Sequence, residues 1–118
     1  MAYVDGFLLA VPTKKLAQYR RIARLAGKVW MEHGALAYKE CAGDDVIQKG
    51  TFTFPKLVRL KKGETPMFSW IVYKSRRDRD RIMPKVMADK RLANMDPKKM
   101  PFDMKRIAYG GFKVIVDL

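Results

Sequence analysis

The chain holds a single cysteine and a single histidine among its 118 residues. Cys41 alone cannot close an internal disulfide, so nothing covalent cross-links the fold, and a reducing compartment suits it. His33 alone cannot build a histidine-based metal centre within one subunit. No apolar run approaches the roughly 18 residues that would mark a membrane-spanning helix. The start of the chain has neither a basic stretch nor a long apolar one. No secretory leader is read there, and a cytoplasmic protein is expected. Walker loop, dinucleotide fingerprint, zinc spacing and EF-hand are all missing, so neither a cofactor nor a metal is expected. Acid is scarce as well: 12 Asp and Glu stand against 25 Lys and Arg, which leaves +13. Such a field draws polyanions from a distance and makes their binding sensitive to salt. The basic residues run along the whole chain rather than along one tail, so charge alone does not single out nucleic acid.

What is present is enough for one core. Hydrophobic residues make up 48% of the chain, and the length fits a single domain over residues 1–118. Residues 3–11 read as a strand with Tyr3, Asp5, Phe7, Leu9 and Val11 on one face. Val4, Gly6, Leu8 and Ala10 form the other, so a central strand covered on both sides is predicted. Pro12 ends it, and Thr13 is placed to cap the helix after it. Residues 14–33 carry Leu16, Tyr19, Ala23, Ala26, Trp30 and His33 at three- and four-residue steps, the spacing of a buried helical stripe. Gly34 suits the turn after that helix. Residues 35–41 alternate as a second strand.

Residues 42–55 are rich in turn formers. Residues 54–60 fit a short helix opened by Pro55 or an irregular strand, and the pattern does not decide between them. Residues 66–73 alternate as a third strand. Ser75 and Asp78 open a second long helix as a capping box with Asp in place of Glu. Pro84 falls in its buried stripe and is predicted to kink or interrupt it. A long connection over residues 91–105 leads to a last strand over 106–116. Its Gly110-Gly111 pair suggests a bulge or a close backbone approach.

The order β-α-β-β-α-β predicts an α+β, ferredoxin-like plan with one antiparallel sheet and both helices on one face. The opposite sheet face would stay apolar and open in a monomer. Pairing two such faces into a homodimer, a two-subunit α/β barrel, is the economical way to cover it.

Several segments together also resemble a bacterial family of unknown function, DUF1428. They are Tyr3-Val4-Asp5-Gly6-Phe7, Ala10-Val11-Pro12, Glu40-Cys41-Ala42-Gly43-Asp44-Asp45-Val46 and Phe68-Ser69-Trp70-Ile71. Val86-Met87-Ala88-Asp89, Met100-Pro101-Phe102-Asp103, Lys105-Arg106 and Tyr109-Gly110-Gly111-Phe112 complete the set. The chain departs from that pattern at Ala42, Pro84, Lys90 and Met104. The resemblance implies a dimeric α/β-barrel fold. That superfamily includes cofactor-free enzymes as well as proteins without a known reaction, so no catalytic residue is carried over.

Three groups of residues are candidates for function. Trp70, Tyr109, Asp103, Arg106 and His33 could line a small-molecule pocket between sheet and helices. There Arg106 would meet an anionic group, Asp103 would orient it, and His33 would supply acid–base chemistry near neutrality. Glu40, Cys41, Asp44 and Asp45 form a loop cluster. Carboxylates beside a thiol raise its pKa, which argues against a nucleophile, and two adjacent carboxylates make a weak cation site. Arg20, Arg21, Arg24 and Lys28, with Arg76, Arg77, Arg79 and Arg81, are the basic side chains that a nucleic-acid-binding module would use. No RNA-recognition signature accompanies them.

Overall fold

The structure is a computed structural model that describes residues 1–118. Its strands are β1 (Tyr3–Pro12), β2 (Ala37–Ala42), β3 (Glu64–Tyr73) and β4 (Ala108–Lys113). Helices α1 (Leu16–Glu32), α2 (Phe54–Leu57), α3 (Arg76–Ala88) and α4 (Lys90–Ala93) lie between them. The strands form one sheet in the order β2-β3-β1-β4, and every neighbouring pair is antiparallel. With α1 joining β1 to β2 and α3 leading from β3 towards β4, this is the ferredoxin-like arrangement of an α+β protein.

Side-chain alternation splits the sheet into two faces. Tyr3, Asp5, Leu9 and Val11 of β1 point to the helices, as do Met67, Ile71 and Tyr73 of β3. They pack with Tyr19, Ala23, Val29 and Trp30 of α1 and with Ile82 and Val86 of α3. Fully buried residues such as Ile82 and Val29 each contribute about 1.5–3 kcal/mol relative to an exposed position. The other face carries Val4, Leu8, Phe68, Trp70, Val72 and Phe112. It is covered only at one end, where Val58 and Leu60 close over Leu8 and Ala10. Phe68 is 47% exposed and Phe112 63%. β1 is thus central as predicted, but its second face is covered only in part.

The element ends differ from the sequence expectations for local reasons. Thr13 caps nothing. It opens a 3-10 turn over Thr13–Lys15, and its hydroxyl pairs with that of Thr65 at 2.8 Å. Gly34 makes the turn after α1 with φ of +118°. Residues 54–57 resolve as the helix α2 with Pro55 in its first turn, where a missing N–H costs nothing. Ser75 caps α3 by accepting from the Asp78 N–H at 3.1 Å.

Pro84 does not interrupt that helix, which runs on to Ala88. It sits on the exposed side, where water can satisfy the carbonyl it leaves free, while Ile82 and Val86 anchor the buried side. The long connection holds α4 and two 3-10 turns, Pro97–Lys99 and Met104–Arg106. β4 ends at Lys113 rather than at 116, and its pairing with β1 runs through Gly110 and Gly111 without a bulge. Gly111 serves instead the close approach: a Cβ there would lie 2.7 Å from Cε2 of Tyr3.

Candidate functional site

A cleft of about 520 Å³ opens between α1 and β2. Leu16, Ala23, Ala42 and Met67 give it apolar walls. β2 is the edge strand, so its helix-facing side chains Tyr38, Glu40 and Ala42 meet α1 with no further strand beyond them. Gly27 of α1 is buried against the Tyr38 ring, and a Cβ at that position would come within 2.7 Å of Cδ1 of Tyr38. The glycine therefore lets the ring lie on the helix backbone and fixes where its hydroxyl falls.

That hydroxyl donates to Oε2 of Glu40 at 2.7 Å, and the Tyr19 hydroxyl donates to Oε1, also at 2.7 Å. Tyr19 is held in turn by an edge-on contact with Phe102, at 5.6 Å between ring centroids. One carboxylate is thus gripped from both sides by tyrosine hydroxyls. Burial, and then the Glu40 charge, push both tyrosines far above their ordinary pKa. Both stay protonated donors across the physiological range. A carboxylate has about four acceptor sites, so Glu40 keeps capacity for a further donor. Arg20 and Arg24, one turn apart on α1, stand exposed at the rim.

The five residues expected in one pocket do not converge. Trp70 points away from the helices and packs beside Phe68, at 5.4 Å between centroids, on the open sheet face. It faces away because its strand position has the parity of Val72, not that of Tyr73. Tyr109 does face the helices, stacked on Phe7 at 4.8 Å. Its hydroxyl lies 3.2 Å from Oδ1 of Asp5. His33 follows the end of α1 and contacts Asp89 through Nε2 at 3.1 Å.

Arg106 is fully engaged inside the fold. It makes a two-pronged pair with Glu64 at 2.7 and 2.9 Å and donates to the carbonyls of Val58 and Arg59. The Arg106 hydrogen bonds hold the Glu64 carboxyl down at about 2. Asp103 instead accepts from the Lys105 N–H at 2.9 Å and caps a 3-10 turn.

The loop cluster also separates. Glu40 and Cys41 are neighbours on a strand, so they point to opposite faces, and Cys41 pairs with Phe68 on the open one. Asp44 and Asp45 are exposed in the following loop. Only Glu40 of this group enters the cleft.

Of the eight basic candidates, Arg79 is not a surface residue. Its guanidinium donates to Oδ1 of Asp5 at 3.0 Å and to the Tyr109 hydroxyl at 2.9 Å. It lies over the Tyr3 ring at 5.1 Å. Arg76 and Arg81 pair along their own helix with Asp80 and Asp78. Arg20, Arg21, Arg24 and Lys28 remain on the exposed side of α1.

The polar centre that sequence patterning misses is Asp5, 0% exposed, which also accepts from the Tyr73 hydroxyl at 2.8 Å. The available signal is an acid in the middle of an otherwise apolar strand. Tyr19 and Tyr38 fit a helix stripe and a strand alternation in sequence; their hydroxyls meet only because β2 folds back under α1.

A four-stranded antiparallel sheet backed by two long helices, with a tyrosine-lined cleft at its edge, defines a ferredoxin-like α+β protein. Sequence comparison gives its family. A family profile described as "Protein of unknown function (DUF1428)" matches residues 2–104, and the chain belongs to that family. It is similar to the "Uncharacterized protein YbaA" of Escherichia coli strain K12, with 42% identity over 117 residues, 99% of each chain. The protein of that name from Shigella flexneri matches equally, at 42% identity over 99% of each chain.

Proposed function

We propose that the protein is a homodimer that binds a small molecule in the cleft between α1 and β2. One observation carries the binding reading: Glu40, gripped by the hydroxyls of Tyr19 and Tyr38 inside apolar walls, has acceptor capacity to spare. A volume of about 520 Å³ lies within the range of pockets that bury a small ligand. Two tyrosines holding one carboxylate fix its orientation before any ligand arrives, which lowers the entropy cost of binding. The dimer reading is supported by the open sheet face, whose middle carries one charged side chain, Lys39.

The test is a metabolite screen by NMR on the purified protein and on Glu40→Gln. Binders should shift the backbone amides of Ala23 and Ala42 in the parent and lose affinity in the variant. A screen whose binders all leave those amides unmoved overturns the reading.

A second reading, a polyanion-binding surface, is favoured by the net charge of +13 and by the exposed α1 residues Arg20, Arg21, Arg24 and Lys28. Titration with generic single-stranded RNA at low and moderate salt checks it. Loss of all binding by about 150 mM salt marks incidental electrostatics rather than a built site.

A further inference from the structure

We propose that the ligand of the α1–β2 cleft is a small apolar carboxylate that also carries a hydrogen-bond donor; this rests on the binding reading above. Three features of the cleft each select one part of such a molecule.

The first is at the rim. Arg20 and Arg24 are four residues apart on α1, so their side chains leave the same helix face. Neither takes part in any ion pair of the structure, a state they share with Arg21, Arg59 and Arg77; what sets them apart is that both line the cleft. Glu40, the acid of the same cleft, is occupied by the two tyrosine hydroxyls rather than by either arginine. Two unpaired guanidinium forks beside an apolar opening match a carboxylate geometrically as well as in charge.

The second is the wall. Leu16, Ala23, Ala42 and Met67 offer no polar side-chain atom beyond the soft thioether of Met67, which adapts to irregular shapes. The body of the ligand must be apolar to gain from them. The third is Glu40. Placed among tyrosine donors, it can accept but not donate, so it rewards a hydroxyl or an N–H and repels a second anion. The ligand therefore presents its anionic end to the rim and its donor to the interior.

Three matched probes separate these claims: 3-(4-hydroxyphenyl)propionate, 3-phenylpropionate without the hydroxyl, and 2-(4-hydroxyphenyl)ethanol without the carboxylate. Each is titrated by NMR against the full chain, against Arg20→Gln/Arg24→Gln and against Glu40→Gln. The double arginine variant changes only exposed side chains, so its folding is not at issue; Tyr38→Phe serves beside Glu40→Gln, because it keeps the ring and the carboxylate.

The first probe should bind the parent roughly tenfold more tightly than either of the others. The arginine variant should erase the advantage over the ethanol and leave the advantage over the deoxy acid. Glu40→Gln should do the reverse. If all three probes move the cleft amides with equal affinity, the ligand class is wrong while the cleft still binds. If none moves them at millimolar concentration, the ligand class is overturned, while the binding reading is decided separately by the metabolite screen.

Discussion

Arg106 and Arg79 are the two arginines that the fold turns inward, and each makes a different demand on its acid. Glu64 meets Arg106 through two hydrogen bonds, which lower its pKa from the usual 4.5 to about 2. A carboxyl whose folded pKa is depressed adds stability above its unfolded value, and that stability is lost as pH falls through the folded value. The parent should therefore weaken between about pH 4.5 and about pH 2. Arg106→Gln should flatten that limb in urea melts taken across this range; parallel curves for parent and variant would refute the pairing.

Asp5 is the harder case, because it is entirely buried and its charge is balanced by Arg79. Arg79→Met should cost about 3–5 kcal/mol in chemical denaturation, since it strands a carboxylate in the core. Adding Asp5→Asn keeps an acceptor for the Tyr73 hydroxyl and should return most of that loss. No recovery in the double variant would show that Arg79 matters through packing on Tyr3 and not through charge.

These pairs also explain what the sequence hid. Arg106 and Asp103 lie three residues apart and suggest a local pair, but the true partner is Glu64, far back in the chain. A partner brought by the sheet cannot be read from spacing.

At the scale of elements, local chemistry is legible wherever one strand or helix decides its own state. Alternation in β1 and β3, the helical stripe of α1, the Gly34 turn and the Ser75 cap all depend on near neighbours. The ferredoxin-like order follows from them. The interruption expected at Pro84 does not occur, because α3 runs through it to Ala88; Pro84 lies on the exposed side, and that side is set by the sheet the helix packs on. The expected β4 starts two residues too early and ends three too late: Arg106 closes a 3-10 turn, and although Val114, Ile115 and Val116 have strand character, β1 pairs with β4 only as far as Lys113. The cleft is illegible for a similar reason: it needs Gly27, Tyr19 and Glu40 from two elements at once.

The Ser75 cap allows a direct test. Ser75→Ala removes the acceptor for the Asp78 N–H at the start of α3. It should cost about 1 kcal/mol in thermal or urea unfolding. A variant as stable as the parent would show that Asp78 in the first turn is enough to hold that end.

For the whole molecule, charge and apolar surface are segregated. The basic side chains of α1 and α3 lie on the helical side, while the middle of the open sheet face holds Lys39 among Phe68, Trp70, Val72, Val4 and Phe112. The acid at one end of that face, Glu64, is already neutralised by Arg106. Nucleic acid would need basic residues beside the aromatics, and this face supplies one; a second copy needs only matching apolar shape. If two copies meet there, their helical sides point outwards, yet each still carries +13 into the pair. Apolar burial then works against long-range repulsion, and salt screens only the repulsion. Dimerisation should therefore tighten as salt rises, opposite to an interface held by ion pairs. Light scattering after size exclusion should give twice the 13.6 kDa of one chain. Trp70→Lys/Phe112→Lys should return the single mass with the circular dichroism of the parent, because both side chains lie outside the helix-facing core. A parent that runs at the single mass in high salt, with Phe112 open to solvent, would leave the sheet face without the partner proposed for it.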